Sequence, residues 1–278
     1  MAQILDGKKL RDKILTELKL KIDKFEKKPT LVVILVGENP ASKIYVNNKK
    51  KTAEKLGINS KVIQYPQNIT EYELLNKIKE LNNDDSVTAL LVQLPLPEHI
   101  SKENVINTIS PKKDVDGFTP ENFGKLFSGE EPMVYPCTPK GIMLLLAEYN
   151  IEVEGKHVVI VGRSNIVGKP LSQMMLNQNA TVTVCHSKTK NLTEIIKTAD
   201  VVVSAVGKNV IKGEMLKNDC VVVDVGIFKD ENGKTRGDVD FATASLVASY
   251  ISPVPGGVGP MTITSLMLNT VELFEKSL

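Results

Sequence analysis

The sequence predicts an α/β protein of two domains, the second a doubly wound parallel sheet. Three observations predict it. Short, near-continuous Val/Ile runs recur, namely "TLVVILV" (30–36), "HVVIVG" (157–162), "DVVVSAV" (200–206) and "CVVVDVG" (220–226). Such runs suit parallel strands buried on both faces. Amphipathic stretches alternate with them, as crossover helices require. One run passes through a glycine turn into a helix start, "VVIVGRSNIVGKP" (158–170).

The elements follow in order. Leu10, Ile14, Leu18, Ile22 and Phe25 mark one face of a first helix. After the strand at 30–36, a helix is expected over 42–56, stopped by Gly57. "KVIQY" (61–65) reads as a strand, and "TEYELLNKIKEL" as a helix opened by a Thr70–Glu73 capping box. "TALLVQ" (88–93) is the next strand and runs into "LPLP"; a short helix over roughly 102–109 follows. The stretch 110–136 reads as loop-rich. Thr138 and Pro139 then form an N-cap and N1 pair for a helix to about Tyr149. Strands at 181–185, 200–206 and 220–226 complete the second sheet, "DENGK" marks a turn, and a last helix covers 261–276. The domains are therefore expected at 1–138 and 139–260.

Composition narrows the function. A net charge of +2 over 278 residues argues against a nucleic-acid binder. No apolar run approaches the roughly 18 residues that span a membrane. The start, "MAQILDGKKLRDK", lacks a signal peptide's apolar core. Cys137, Cys185 and Cys220 are odd in number and far apart, which fits a reducing cytosol. His99, His157 and His186 show no metal-ligand spacing, so no metal is expected.

The glycine turn at 158–170 has the context of a pyrophosphate loop, where a helix N-terminus meets phosphates. Its fit to GxGxxG is imperfect. Gly162 takes the first position, Ser164 stands at the second, and Gly168 comes one residue late. A plain strand–turn–helix remains the alternative. The second strand ends in Cys185, His186, Ser187 and Lys188, with no acid for a ribose. With Arg163 after the first glycine, the pattern suits the extra phosphate of NADP rather than NAD.

"SKIYVNNKKKTAEKLG" (42–57) poses a second question. At about 100° per residue, Tyr45, Val46, Ala53 and Leu56 share one side of the helix. Lys49 falls in the middle of that side, Lys50 at its flank and Lys51 opposite. Lys49 is one turn from Tyr45, so the two can share a site. Phase leaves two readings open: a snorkelling stem, or a lysine with proton-transfer chemistry. Gln93 ends a buried strand, where open α/β sheets place ligands. In "KKDVDGF", Asp114 or Asp116 could hold an amine-bearing heterocycle or serve the turn before Gly117. "PVPGGVGP" (253–260) is a stiff loop whose glycines would admit a flat ligand against bare backbone, or a tight connector.

Together, "YVNNKKKTAEKLGI", "LLVQLPLP", "KDVDGF", "PCTPKG", "VGRSNIVGKP", "VDVGI" and "PVPGGVGPMT" resemble the bifunctional methylenetetrahydrofolate dehydrogenase/methenyltetrahydrofolate cyclohydrolase family over nearly the whole chain. The resemblance implies an N-terminal folate-binding catalytic domain, a Rossmann-like NADP+ domain and a cleft between them. It implies that the last helix, 261–278, packs back on the first domain. By resemblance Lys49 is the catalytic lysine, Tyr45 stacks on the folate, Gln93 tunes the lysine and Asp116 binds the pterin. Gly162, Arg163, Ser164, Ser187 and Ile227 match NADP contacts, and Pro255, Gly256 and Gly257 the loop against the folate. A cytoplasmic homodimer acting on tetrahydrofolate derivatives in one-carbon metabolism is implied. A monofunctional NAD-dependent relative, a shikimate-dehydrogenase-like enzyme and a non-catalytic nucleotide binder are the competing readings.

Overall fold

The computed structural model describes residues 1–278, and its Cα framework divides into two compact units. One comprises 14–135 and 265–278; the other comprises 1–13 and 136–264. No helix is long and apolar enough to cross a membrane.

In chain order the elements begin with β1 (Gln3–Ile4), α1 (Gly7–Asp23), β2 (Thr30–Val36), α2 (Pro40–Leu56), β3 (Asn59–Tyr65), α3 (Glu71–Asn82) and β4 (Ala89–Val92). Next come α4 (Lys102–Thr108), α5 (Pro120–Ser128), α6 (Cys137–Glu148), β5 (His157–Val161), α7 (Gly168–Asn177) and β6 (Thr181–Cys185). The chain ends with α8 (Leu192–Ile196), β7 (Val201–Ser204), β8 (Val221–Asp224), β9 (Phe228–Lys229), β10 (Thr235–Arg236), α9 (Phe241–Ala244), β11 (Tyr250–Ile251) and α10 (Val258–Glu275).

The first unit carries a parallel sheet in the order β3–β2–β4, with Leu31 opposite both Ser60 and Ala89. Val32, Ile34 and Leu90 pack with Leu74 and Ile78 of α3 and Val105 after Ser101's cap. α3 carries the expected capping box: Thr70 Oγ1 accepts from Glu73 N, and Glu73 accepts from Thr70 N. α2 begins two residues earlier than expected. Asn39 accepts from Ser42 N, Pro40 stands in the first turn, and Gly57 closes the helix at φ 84°. The C-terminal part of α10 belongs to this unit, where Asn269 donates to the carbonyls of Val115 and Tyr135.

The second unit carries six parallel strands in the order β1–β11–β8–β7–β5–β6. Strand order reverses at β5, which lies between β6 and β7. Ligands of open α/β sheets bind at such a switch point. The fold is α/β with a doubly wound parallel sheet, as its Val/Ile runs require.

Three local expectations change. α6 starts at Cys137 with Pro136 at the N-cap, so Thr138 lies inside the helix and caps nothing; its Oγ1 instead meets Thr262 Oγ1 at 3.0 Å. The "loop-rich" stretch contains α5, begun by Pro120 and closed by Gly129 at φ 79°. α10 begins at Val258, inside the glycine-rich motif, three residues before the expected start.

Candidate active site

In the three-stranded unit, α2 and β4 present the first constellation. Val46, Lys49, Ala53 and Leu56 form the buried stripe of α2. Lys49 is only 8% exposed, and its Nζ donates to Gln93 Oε1 at 3.0 Å. Gln93 is the first residue past β4; its backbone N–H continues the sheet by donating to Ile34 O at 2.8 Å. Its Nε2 donates to Leu94 O at 2.8 Å, which turns the amide oxygen toward the lysine. A buried ammonium is costly unless such acceptors meet it. The neighbouring lysines differ: Lys50 is exposed and 3.7 Å from Glu54, and Lys51 is exposed. Tyr45, which phase grouped with the inward stripe, is 42% exposed. Its ring presents surface one turn from Lys49, as a stacking residue would.

The two aspartates of "KKDVDGF" separate cleanly. Asp114 is buried and serves its own loop, accepting from Gly117 N at 3.0 Å, Thr119 N at 2.7 Å and Asn122 Nδ2 at 3.0 Å. Asp114 also bridges Leu90 in parallel, so the chain beyond it runs with β4 toward Gln93. Asp116 lies on that stretch and is half-buried.

In the six-stranded unit, the turn after β5 shows why its glycines stand where they do. Gly162 has φ 130°, and a Cβ there would lie 2.6 Å from Ala205 O. A Cβ on Gly168 would lie 2.1 Å from Gly162 O. The late glycine is thus what lets α7 start against the turn. Ser164 Oγ accepts from Val167 N at 3.2 Å, and Ser164 O from Lys169 N at 3.1 Å. No side chain caps α7, so its N-terminus keeps donors for an anion. Arg163, Ser187 and Lys188 are exposed, and no acid ends β6. Thr189 Oγ1 accepts from His186 N at 2.8 Å and shapes the turn that carries Ser187. Ile227, after β8, is also exposed. This donor set fits a dinucleotide with an additional phosphate on its ribose.

The glycine-rich loop meets the start of α1. Pro255 is exposed, but Gly256 and Gly257 are buried. A Cβ on Gly7 would lie 1.8 Å from Gly257 O, and Lys8 N donates to Gly256 O at 3.1 Å. The carbonyls of these two glycines face the start of α1, which the pairing of β1 with β11 delivers there. Two further buried acids carry no sequence signal of their own: Asp224, two residues before Gly226 in "VDVGI", and Asp238, next to Gly237 in "RGDVD".

Residues 136–278 match the NAD(P)-binding domain of a tetrahydrofolate dehydrogenase/cyclohydrolase family model, and residues 5–116 match its catalytic domain. The bifunctional protein FolD of Oceanobacillus iheyensis is 52% identical, over 98% of this chain and 96% of its own. The crystal structure of the Campylobacter jejuni FolD methylenetetrahydrofolate dehydrogenase/cyclohydrolase superposes with a TM-score of 0.99 at 50% identity, covering 100% of both chains. The Trypanosoma brucei dehydrogenase–cyclohydrolase, solved with NADP and an inhibitor, gives 0.94 at 36% identity, over 99% of this chain and 98% of its own.

Proposed function

The chain belongs to the tetrahydrofolate dehydrogenase/cyclohydrolase family, and from that premise we propose that it performs two consecutive reactions. It oxidises 5,10-methylenetetrahydrofolate to 5,10-methenyltetrahydrofolate with NADP+. It then hydrolyses that product to 10-formyltetrahydrofolate. The observation that carries the reading is the buried Lys49 Nζ held 3.0 Å from Gln93 Oε1.

When bound, NADP+ supplies a hydride acceptor. The folate nitrogen lone pair assists hydride departure, so the protein needs no general base for this step; it needs position. In this reading Tyr45 stacks on the folate and Asp116 holds the pterin. The "PVPGGVG" loop, with Pro255, Gly256 and Gly257, contacts the folate in the same reading. Gly162, Arg163, Ser164, Ser187 and Ile227 hold the dinucleotide, Arg163 and Ser187 its additional phosphate.

Hydrolysis moves protons. Water adds to the methenyl carbon and loses a proton; as the bond from that carbon to N5 breaks, N5 takes a proton and the remaining hydroxyl proton leaves to form the formyl C=O, with one proton released overall. Lys49 relays these protons, with Gln93 fixing the direction of its Nζ. The domains in this reading are 1–138 and 139–260, with the last helix returning to the first. The protein is a cytosolic homodimer, a setting that suits three buried cysteines that form no disulfide. Its product enters one-carbon metabolism and feeds purine, methionine and histidine biosynthesis.

The test is to mix the protein with methylenetetrahydrofolate and either coenzyme while following NADPH and methenyl absorbance together. NADPH and methenyl absorbance should rise together, the methenyl absorbance should then decay while NADPH persists, and NAD+ should be slower. Absent turnover, or equal rates with both coenzymes, would overturn the reading.

A further inference from the structure

Two buried acids in the six-stranded unit play no part in the chemistry above. Asp224 ends β8 and is 4% exposed; Asp238 follows β10 and is fully buried. The hydrogen bonds they accept come from backbone N–H groups and one serine hydroxyl. Asp224 Oδ1 accepts from Asp238 N at 2.8 Å and Gly226 N at 3.1 Å, and its Oδ2 from Val239 N at 3.0 Å. Asp238 Oδ2 accepts from Val206 N at 2.7 Å and Ser204 Oγ at 2.9 Å, and its Oδ1 from Lys208 N at 2.8 Å.

The arrangement is a chain of attachments. Asp224 holds the segment that carries Asp238, and Asp238 holds the loop that leaves β7. The chain makes room for both. A Cβ on Gly226 would lie 1.8 Å from Asp238 Oδ1, and one on Gly237 1.9 Å from Asp224 Oδ2. Burying two acids without a cation is unfavourable, and an apolar filling would cost less if packing were the only need. What the six donors share is their place. Ser204 ends β7 and Val206 and Lys208 leave it, Gly226 leaves β8, and Asp238 and Val239 lie beyond β10 on the same connection, at the sheet edge where α/β folds bind ligands. Ala205, in the loop held by Asp238, is the residue whose carbonyl abuts Gly162. Gly226, held by Asp224, precedes Ile227.

We infer that Asp224 and Asp238 are positioning residues for the dinucleotide: a reciprocal pair that fixes the loops after β7 and β8 against the Gly162 turn. The inference rests on the NADP reading of that turn. It separates the two activities, because hydrolysis of methenyltetrahydrofolate consumes no NADP+.

Asp238→Asn keeps the size but places an amide among donors. It should raise the KM for NADP+ at least about tenfold, the loss of one buried bond to a charged acceptor. The KM for methylenetetrahydrofolate and the rate of methenyl hydrolysis should stay within about twofold, since neither uses the displaced loops. Ser204→Ala removes a single donor and keeps the strand. It should raise the NADP+ KM about threefold with hydrolysis unchanged, and it decides the matter if Asp238→Asn does not fold. An unchanged NADP+ KM in the folded variants would overturn the inference. So would parallel losses in hydrolysis and NADP+ affinity, the mark of a general structural role. If the unaltered protein itself failed to bind NADP+, the reading of the Gly162 turn would fall instead.

Discussion

Three adjacent lysines on α2 have three different surroundings. Lys49 is buried on an amide oxygen, Lys50 lies near Glu54 in water, and Lys51 is exposed. Helical phase separates them from sequence alone, since 100° per residue turns each to a different direction. Phase could not show what meets Lys49, because Gln93 is 44 residues away. Nor could it choose between Asp114 and Asp116, which share a loop with no periodicity. The structure adds that Asp114 spends its carboxylate on Gly117, Thr119 and Asn122. At this scale the coenzyme preference is testable. Arg163→Ala should weaken NADP+ about ten- to hundredfold, as losing a charge-assisted bond to a phosphate would, and NAD+ by less than about threefold. Initial-rate titrations with each coenzyme check it, and equal losses would remove the phosphate role.

Among elements, the long ones were legible and the ends were not. β2 and β5 announce themselves through Val/Ile runs, and α3 through its capping box. β1 and β11 are two residues each, too short for any period, yet their pairing carries the start of α1 to the glycine-rich loop. Thr138 and Pro139 had the chemistry of a helix start, but a residue with helical neighbours on both sides cannot cap. The end of β8 carries a pH prediction. Burial pushes the Asp224 carboxyl up to about 7, helped by Asp238 and opposed by N–H donors from Asp238, Val239 and Gly226. The unfolded chain releases this proton near 3.8. Between those values the folded state binds more protons, so this contribution is full below the window and is lost as pH rises through it. Thermal melts at about pH 5 and about pH 8 should show a drop of a few degrees that Asp224→Asn reduces. An identical drop in the variant would contradict the assignment.

At the scale of the whole molecule, the chain visits its compact units more than once. It begins in the six-stranded unit, leaves within α1, returns at Pro136, and leaves again within α10. Composition gives no sign of the first and last of these three passages, because those two run through continuous helix with no linker. The fold class was legible because its Val/Ile strands are recognisable, and the candidate residues could be singled out because Lys49 has an inward helical phase while Gln93 and Gly162 follow recognisable strands. One chain is proposed to catalyse two reactions, with Lys49 carrying the second. Lys49→Met tests it most directly, by methenyltetrahydrofolate hydrolysis measured beside equilibrium binding of folate and NADP+. The account predicts that hydrolysis falls at least about a hundredfold, the usual contribution of a proton-transfer group, while both ligands still bind. Hydrolysis at the unaltered rate would contradict it.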